Sequence, residues 1–376
     1  MRVGIDARLL SYQQGGISTY TRCLIRELAT LRQGERYVVL QSRKDSNPIV
    51  RGNGVEIAPT WTPCHNRFEQ FALPLELSLL GLDLLHSPDF IPPFYRRCKS
   101  VITVHDLAFL KYPHLLTEAS KSYYLQIGKG VKSADAIIAV SASTRNDLIE
   151  QLGVPEDKIN VIPEAADSIF RPIDDQRFLD AVKQRYNLPE RFILFLGTIE
   201  PRKNLTTLIK AFAQFSLSGK ENSETVERIP KLVIAGAKGW LCDEVFATVE
   251  ALRIGNLVEF IGLVPGQDLV ALYNLASAFA MPSLYEGFGL PVLEAMACGI
   301  PVIASNASSL PEVAGDAALL VDPLDIDGWA HAISRVLDDQ AVRDSLRERG
   351  LRRATDFSWR RSALETRALY ERVLGE

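Results

Sequence analysis

Two glutamates separated by seven residues, Glu286 and Glu294, stand in the stretch SLYEGFGLPVLEAMACGIPVIAS, Ser283 to Ser305. Carboxylates accept hydrogen bonds from hydroxyls. In the same stretch a helix opens near Leu290, with Pro291 in its first turn, where a missing N–H costs nothing. Gly287 and Gly289 let the backbone come close to a ligand. A helix start offers free N–H groups at the positive end of the macrodipole and suits a phosphate. A ligand carrying both a phosphate and hydroxyl-rich rings satisfies both features, and a nucleotide-sugar has that composition. In the competing reading Glu286 caps the helix and Glu294 is solvated. Phe288, Leu290, Val292, Leu293 and Met296 make the surroundings apolar, and charged residues are rarely placed there without a partner.

Arg202 and Lys203 form a second candidate group, at the junction between the strand FILFLG (Phe192 to Gly197) and a helix starting near Leu205. Two cations at such a junction would neutralise a diphosphate; a solvated helix start is the alternative. His105 and Asp106 end the strand SVITVHDLAF, and His86 ends another. Parallel sheets bind ligands at the carboxyl ends of their strands. Either histidine could instead be a structural donor, and Asp106 could orient the His105 imidazole. Gly15 and Gly16 follow the first strand, RVGIDA, where a plain turn also fits. The loop is not GxGxxG, so no dinucleotide fingerprint is present.

The elements that must position these residues alternate strand and helix twice over, which predicts α/β domains with parallel sheets. In the first half, apolar runs at Arg2–Ala7, Tyr37–Ser42, Val55–Thr60, Leu84 onward, Ser100–Phe109, Ala136–Ser141 and Ile159–Asp167 read as strands. Helices are expected over Ile17–Leu31, Phe68–Leu80 and Glu118–Lys132, with another capped by Ser143 or a nearby hydroxyl. Asp167–Asp175 reads as a hinge. The second series runs through Phe192–Gly197, Lys231–Gly236, Val258–Pro265, Ala278–Pro282 and Pro301–Ser305, with Asn222–Glu227 as a polar surface insertion. Gly299 sits where a helix end wants positive φ. The last segment, Phe357 to Leu374, is amphipathic.

Taken together, EGFGLPVLEAMACGIPVIAS and GTIEPRKN resemble the donor-site motifs of family-4 retaining glycosyltransferases. The resemblance covers nearly the whole chain and is strongest from Phe192 to Asp322. It implies the GT-B fold: two Rossmann-like domains facing across a cleft, with the terminal helix crossing back to the first. The expected division is 1–168 plus 357–376 as acceptor domain and 169–356 as donor domain. The resemblance further implies that Gly15, Gly16, Arg202 and Lys203 meet the donor diphosphate. His105 and Glu286 would meet the transferred sugar, and Glu294 the ribose. Gly287, Phe288, Gly289 and Leu290 would line the donor, and Leu263 and Val264 would pack on the base. The chain departs from the pattern twice. Thr198 stands where some members have arginine, which throws more of the phosphate binding onto Arg202 and Lys203. Glu164-Ala165 replaces an Asn-Gly found in many relatives, so a tight turn there is less certain.

The wording of both motifs is most similar to bacterial mannosyltransferases of surface-polysaccharide assembly. That implies GDP-mannose as donor, a glycan or lipid-linked glycan as acceptor, and no metal or other cofactor; no DxD-like cluster marks a magnesium site. Ile91–Lys99 (IPPFYRRCK) offers aromatic and basic residues to lipid headgroups at the inner membrane face, or is a plain surface loop. The alternatives are a UDP-sugar-dependent transferase, a nucleotide-sugar epimerase and a non-catalytic nucleotide-sugar binder.

Composition bounds the rest. A chain of 376 residues with 47% hydrophobic content can bury two cores. With 42 basic and 46 acidic residues, net −4, it does not read as a nucleic-acid binder. Five scattered cysteines without a CxxC pair suggest free thiols in a reducing cytosol and no zinc site. No signal peptide and no membrane-length apolar run is read, so a cytoplasmic protein, peripheral at most, is expected.

Overall fold

Short strands rich in Val, Ile and Leu, nearly continuous in their apolar character, are what sheets covered on both faces require, and this chain builds two. The computed structural model describes residues 1–11, 15–31, 34–45, 49–50, 54–66, 68–115, 123–221 and 230–375. Two compact units result: residues 1–165 with 358–376, and residues 166–357. The polar stretch Asn222–Glu227 and residues 118–122 of the expected Glu118–Lys132 helix lie outside the described residues.

The first unit holds strands β1 (Arg2–Asp6), β2 (Arg36–Ser42), β3 (Val55–Thr60), β4 (Leu84–Ser87), β5 (Lys99–Val104), β6 (Ala136–Ala139) and β7 (Ile159–Val161). They form one parallel sheet in the order β3-β2-β1-β4-β5-β6-β7. The order reverses between β1 and β4, which opens a crevice at the strands' carboxyl ends. Helix α1 (Gly16–Leu31) follows β1 and buries Tyr20, Leu24 and Leu28. Helix α2 (Glu69–Ser78) buries Leu73 and Leu77 against Val38, Leu40, Ala58 and Leu85. A further helix, Ala142–Leu152, is capped by Ser141, whose hydroxyl accepts from the Thr144 N–H.

The terminal helix, Trp359–Leu374, packs on α1 of this unit. Its buried Tyr370 meets His86, and the Ser362 hydroxyl donates to the Pro163 carbonyl at 2.6 Å.

The second unit holds β8 (Phe192–Leu196), β9 (Lys231–Ala235), β10 (Val258–Gly262), β11 (Ala278–Met281), β12 (Val302–Ser305) and β13 (Ala318–Val321), again all parallel. Their order is β10-β9-β8-β11-β12-β13. The reversal here falls between β8 and β11. The loops that carry Arg202-Lys203 and Glu286 leave those two strands, so topology brings them side by side. Helices α3 (Leu205–Glu221), α4 (Gly266–Leu275) and α5 (Leu290–Ala297) supply the flanking walls.

Candidate active site

The β11–α5 loop is shaped by its last glycine. Gly289 has φ +107°, and a Cβ there would come within 2.6 Å of Leu310 Cδ2. No other residue type fits both conditions. Gly299, just beyond α5, has φ +73°, the left-handed conformation expected after a helix end. Phe288 and Leu290 are buried, and Phe288 packs edge-on against Phe357 with ring centroids 5.6 Å apart. Both are wall residues of the second unit. The start of α5 offers fewer donors than the sequence suggests: Pro291 has no N–H, and Val292 and Leu293 both donate to the Gly289 carbonyl.

Arg202, Lys203 and Glu286 meet directly. Lys203 Nζ donates to Glu286 Oε1 at 2.7 Å, and Arg202 donates to Glu286 Oε2 at 3.0 Å and to the Tyr285 carbonyl at 2.8 Å. Arg202 also pairs with Glu200 at 2.8 Å. The Leu284 N–H donates to the Arg202 carbonyl, and the Glu286 N–H to Ser308 Oγ, so both loops are fastened by backbone as well as charge. Burial pushes the Glu286 carboxyl up, but Lys203 and Arg202 outweigh it and hold the group down at about 2. Glu286 is therefore an acceptor, not a proton donor, at neutral pH. Two cations face two carboxylates, Glu200 and Glu286.

Glu294 lies on the buried side of α5. Its Oε2 accepts from the Tyr273 hydroxyl on α4 at 2.9 Å. Burial and the Glu294 charge push the Tyr273 phenol far up. Val264 is buried and Leu263 is exposed in the loop after β10, two strands away from β8.

His105, Gly15 and Gly16 belong to the first unit. Gly15 and Gly16 have open space where a Cβ would stand, and neither has positive φ. The fold does not itself require glycine at these positions. His105 Nδ1 lies 2.9 Å from Glu164 Oε1, and Nε2 lies 3.0 Å from the Pro88 carbonyl. Both partners accept, so the ring donates from both nitrogens as an imidazolium. Burial lowers its pKa, but Glu164, Asp89 and the Pro88 carbonyl together raise it more, and the net shift is upward. Tyr20 packs edge-on against the ring at 4.8 Å. Asp106, read as a possible orienter of His105, instead accepts from the Ala108 N–H in a turn. His86 is fully buried between Tyr370 and Thr103, and burial followed by the His105 charge lowers it to about 3. It is a neutral structural link.

Sequence reasoning missed Glu164 as a partner and missed Arg8 altogether. Arg8 is buried at the end of β1, forked onto Asp6 at 2.8 and 2.6 Å, and also bonded to Glu69 and the Thr62 carbonyl. The only signal was an Asp and an Arg two positions apart at a strand's carboxyl end. Asp6, Arg8, His65, Glu69 and Asp89 line a cavity of about 20 Å³ at the β1/β4 reversal. That is room for about one water and not for a sugar ring.

The family described as "Glycosyl transferases group 1" matches residues 177–353, and "Glycosyltransferase Family 4" matches residues 14–168. The chain is 32% identical to O-antigen chain mannosyltransferase B of Escherichia coli, across 99% of this chain and all of that one. The chain belongs to the family-4, group 1 glycosyltransferases. The serotype-specific mannosyltransferase WbdA of E. coli is 33% identical over 70% of this chain and 32% of its own length. Among solved structures, sucrose-phosphate synthase from Thermosynechococcus elongatus superposes with a TM-score of 0.79 at 24% identity, covering 100% of this chain and 99% of that one. WaaG, a glycosyltransferase involved in lipopolysaccharide biosynthesis, gives 0.73 at 14%, covering 97% and 98%. These likenesses establish the GT-B fold for this glycosyltransferase. It is an enzyme. Among the described residues of this glycosyltransferase, no helix is long and apolar enough to cross a membrane.

Proposed function

We propose that this glycosyltransferase moves a mannosyl unit from GDP-mannose to a glycan or lipid-linked glycan acceptor in cell-surface polysaccharide synthesis. Transfer proceeds with retention of anomeric configuration and without a metal ion or other cofactor. The observation that carries the mannosyl reading is the end-to-end match with an O-antigen mannosyltransferase. The chemistry is supported by the cluster at the β8/β11 reversal.

When the glycosidic bond to the diphosphate breaks, charge builds on the departing β-phosphate. Cations already turned to the bound diphosphate lower that barrier because they need no reorganisation at the moment the bond breaks. An ammonium carries three N–H donors, and the bond to Glu286 uses one of those on Lys203. Glu286 holds Lys203 and Arg202 in place before the donor arrives. It then accepts from sugar hydroxyls as the cations turn to phosphate. Glu294, held by Tyr273, accepts from the ribose. His105, kept as an imidazolium by Glu164, donates to the transferred hexose from Nε2, which must first leave the Pro88 carbonyl.

The test is release of nucleoside diphosphate and transfer of labelled sugar, with GDP-mannose, UDP-glucose and UDP-GlcNAc compared in EDTA. Acceptor-dependent release of GDP alone is expected. Release of UDP instead overturns the donor; sugar isomerisation without acceptor makes the protein an epimerase; loss of activity in EDTA overturns metal independence.

A further inference from the structure

The first turn of the terminal helix, Trp359–Leu374, reaches two supports of His105. Trp359 and Ser362 stand three positions apart, on one face of that helix, and both are buried. Trp359 lies edge-on to Tyr20 with ring centroids 5.7 Å apart, and Tyr20 lies edge-on to the His105 ring at 4.8 Å. The Ser362 hydroxyl donates to the Pro163 carbonyl at 2.6 Å. Pro163 immediately precedes Glu164, which accepts from His105 Nδ1 at 2.9 Å. A third thread starts further along the helix. The Tyr370 hydroxyl meets His86 Nδ1 at 2.6 Å, His86 Nε2 meets Thr103 Oγ1 at 2.8 Å, and Thr103 Oγ1 meets the Tyr20 hydroxyl at 3.0 Å. Tyr20, His86, Thr103 and Tyr370 are all buried.

Anchoring of the helix does not by itself account for this arrangement. Trp359 Nε1 is buried without a hydrogen-bond partner among the described residues, and a buried indole N–H left unpaired costs stability. The helix has other anchors: Arg367 donates to the Leu31 carbonyl at 3.0 Å and Arg372 to Asn160 at 2.7 Å. What the indole supplies is an aromatic wall against Tyr20. The His105 ring has Glu164 at Nδ1, the Pro88 carbonyl at Nε2 and Tyr20 against its side. In the transfer proposed above, Nε2 leaves the Pro88 carbonyl for the hexose. Of these contacts Glu164 and Tyr20 then remain, and the terminal helix buttresses both. A misplacement of about 1 Å in such a site can cost on the order of a hundredfold in rate.

We propose that Trp359 and Ser362 are positioning residues for His105: the terminal helix holds the imidazole at the angle from which Nε2 reaches the transferred hexose, Trp359 acting through Tyr20 and Ser362 through Glu164. The proposal rests on the reading of His105 as a donor to that sugar. Each residue acts through a neighbour of His105, so its loss lowers turnover and leaves nucleotide binding in place.

The experiment compares Trp359→Leu, Trp359→Phe, Ser362→Ala and His105→Gln in the full chain. The His105 imidazole is followed by NMR with isotope-labelled histidine, turnover as GDP release from GDP-mannose, and GDP affinity by calorimetry. His105→Gln identifies the His105 signals by their loss. Trp359→Leu and Ser362→Ala should each shift those signals and lower kcat about tenfold or more, with KM and GDP affinity within about twofold of wild type. GDP carries no hexose, so its affinity does not depend on His105. Trp359→Phe keeps an aromatic ring against Tyr20 and should restore most of kcat. Melting temperatures are measured alongside, and every comparison is made well below the lowest of them. Unmoved His105 signals in Trp359→Leu and Ser362→Ala, a loss carried by KM or GDP affinity instead of kcat, or an equal loss in Trp359→Phe and Trp359→Leu overturns the proposal. Wild-type turnover in His105→Gln is a separate failure: it overturns the role of His105 in transfer, whereas the His105 signals still decide whether the helix holds the ring.

Discussion

Glu164 Oε1 accepts from His105 Nδ1 at 2.9 Å, although the two residues are 59 positions apart. The pair is held on every side: Pro88 accepts from Nε2, Tyr20 stands edge-on to the ring, and Thr144 donates to the His105 carbonyl. Asp89 adds negative charge nearby and also raises the imidazole. A raised histidine stabilises the fold fully below its unfolded pKa, and that contribution is lost as pH rises through the folded value. Glu164→Gln should therefore lower the His105 pKa in an NMR titration and move the alkaline limb of kcat to lower pH. An unmoved titration would remove Glu164 from this role.

Lys203→Ala should lower kcat by about a hundredfold or more while changing KM less, because the diphosphate gains charge in the transition state. With Glu286 held down at about 2, activity between pH 4 and 9 should show no limb belonging to this carboxyl. A pH–rate profile of wild type and Lys203→Ala checks both statements. A limb in the wild type that disappears in Glu286→Gln would contradict the second.

Glu294→Ala should weaken free GDP and GDP-mannose by the same factor, about tenfold or more, since ribose is common to both. Because Glu294 also anchors Tyr273, a loss of order 1–3 kcal/mol in stability should accompany it. Tyr273→Phe separates the effects: it should lower stability and leave nucleotide affinity near wild type in calorimetry.

Tyr370→Phe removes a partner of fully buried His86, and a cost of about 1–3 kcal/mol is expected in urea unfolding. His86 itself is lowered to about 3. The sign is opposite to that of His105: its contribution is present above the unfolded value near 6.5 and is lost as pH falls toward 3. In that window this one group removes up to about 1.4 kcal/mol per pH unit. The imidazole signal of His86 should not titrate above pH 4.

Gly289→Ala should destabilise the second unit by about 1–3 kcal/mol, because a Cβ at φ +107° meets Leu310 at 2.6 Å. The loss should appear as a lower melting temperature, together with weaker nucleotide binding as the Glu286 loop shifts.

The strands, the helix starting at Leu290, the glycine after it and the family membership were all legible in the sequence, because they depend on local pattern. Apolar runs mark strands buried on both faces, and a proline and two glycines mark one helix's ends. What the sequence could not supply was partnership across distance. Arg202 and Lys203 read as free cations waiting for phosphate; folding pairs them with Glu200 and Glu286, because β8 and β11 are neighbours in the sheet although 83 residues separate Lys203 from Glu286. Glu164 read only as a departure from a turn pattern, and the fold gives it to His105. Phe68–Leu80 read only as a helix, with no sign of the apolar stripe of Phe71, Leu75 and Leu79 that it leaves outward. That exposure appears only once Arg8 and the Trp61 backbone have drawn Glu69 and Glu76 away. Local propensity is written residue by residue, whereas a buried charge is defined by the neighbour that compensates it, and only the tertiary structure chooses that neighbour.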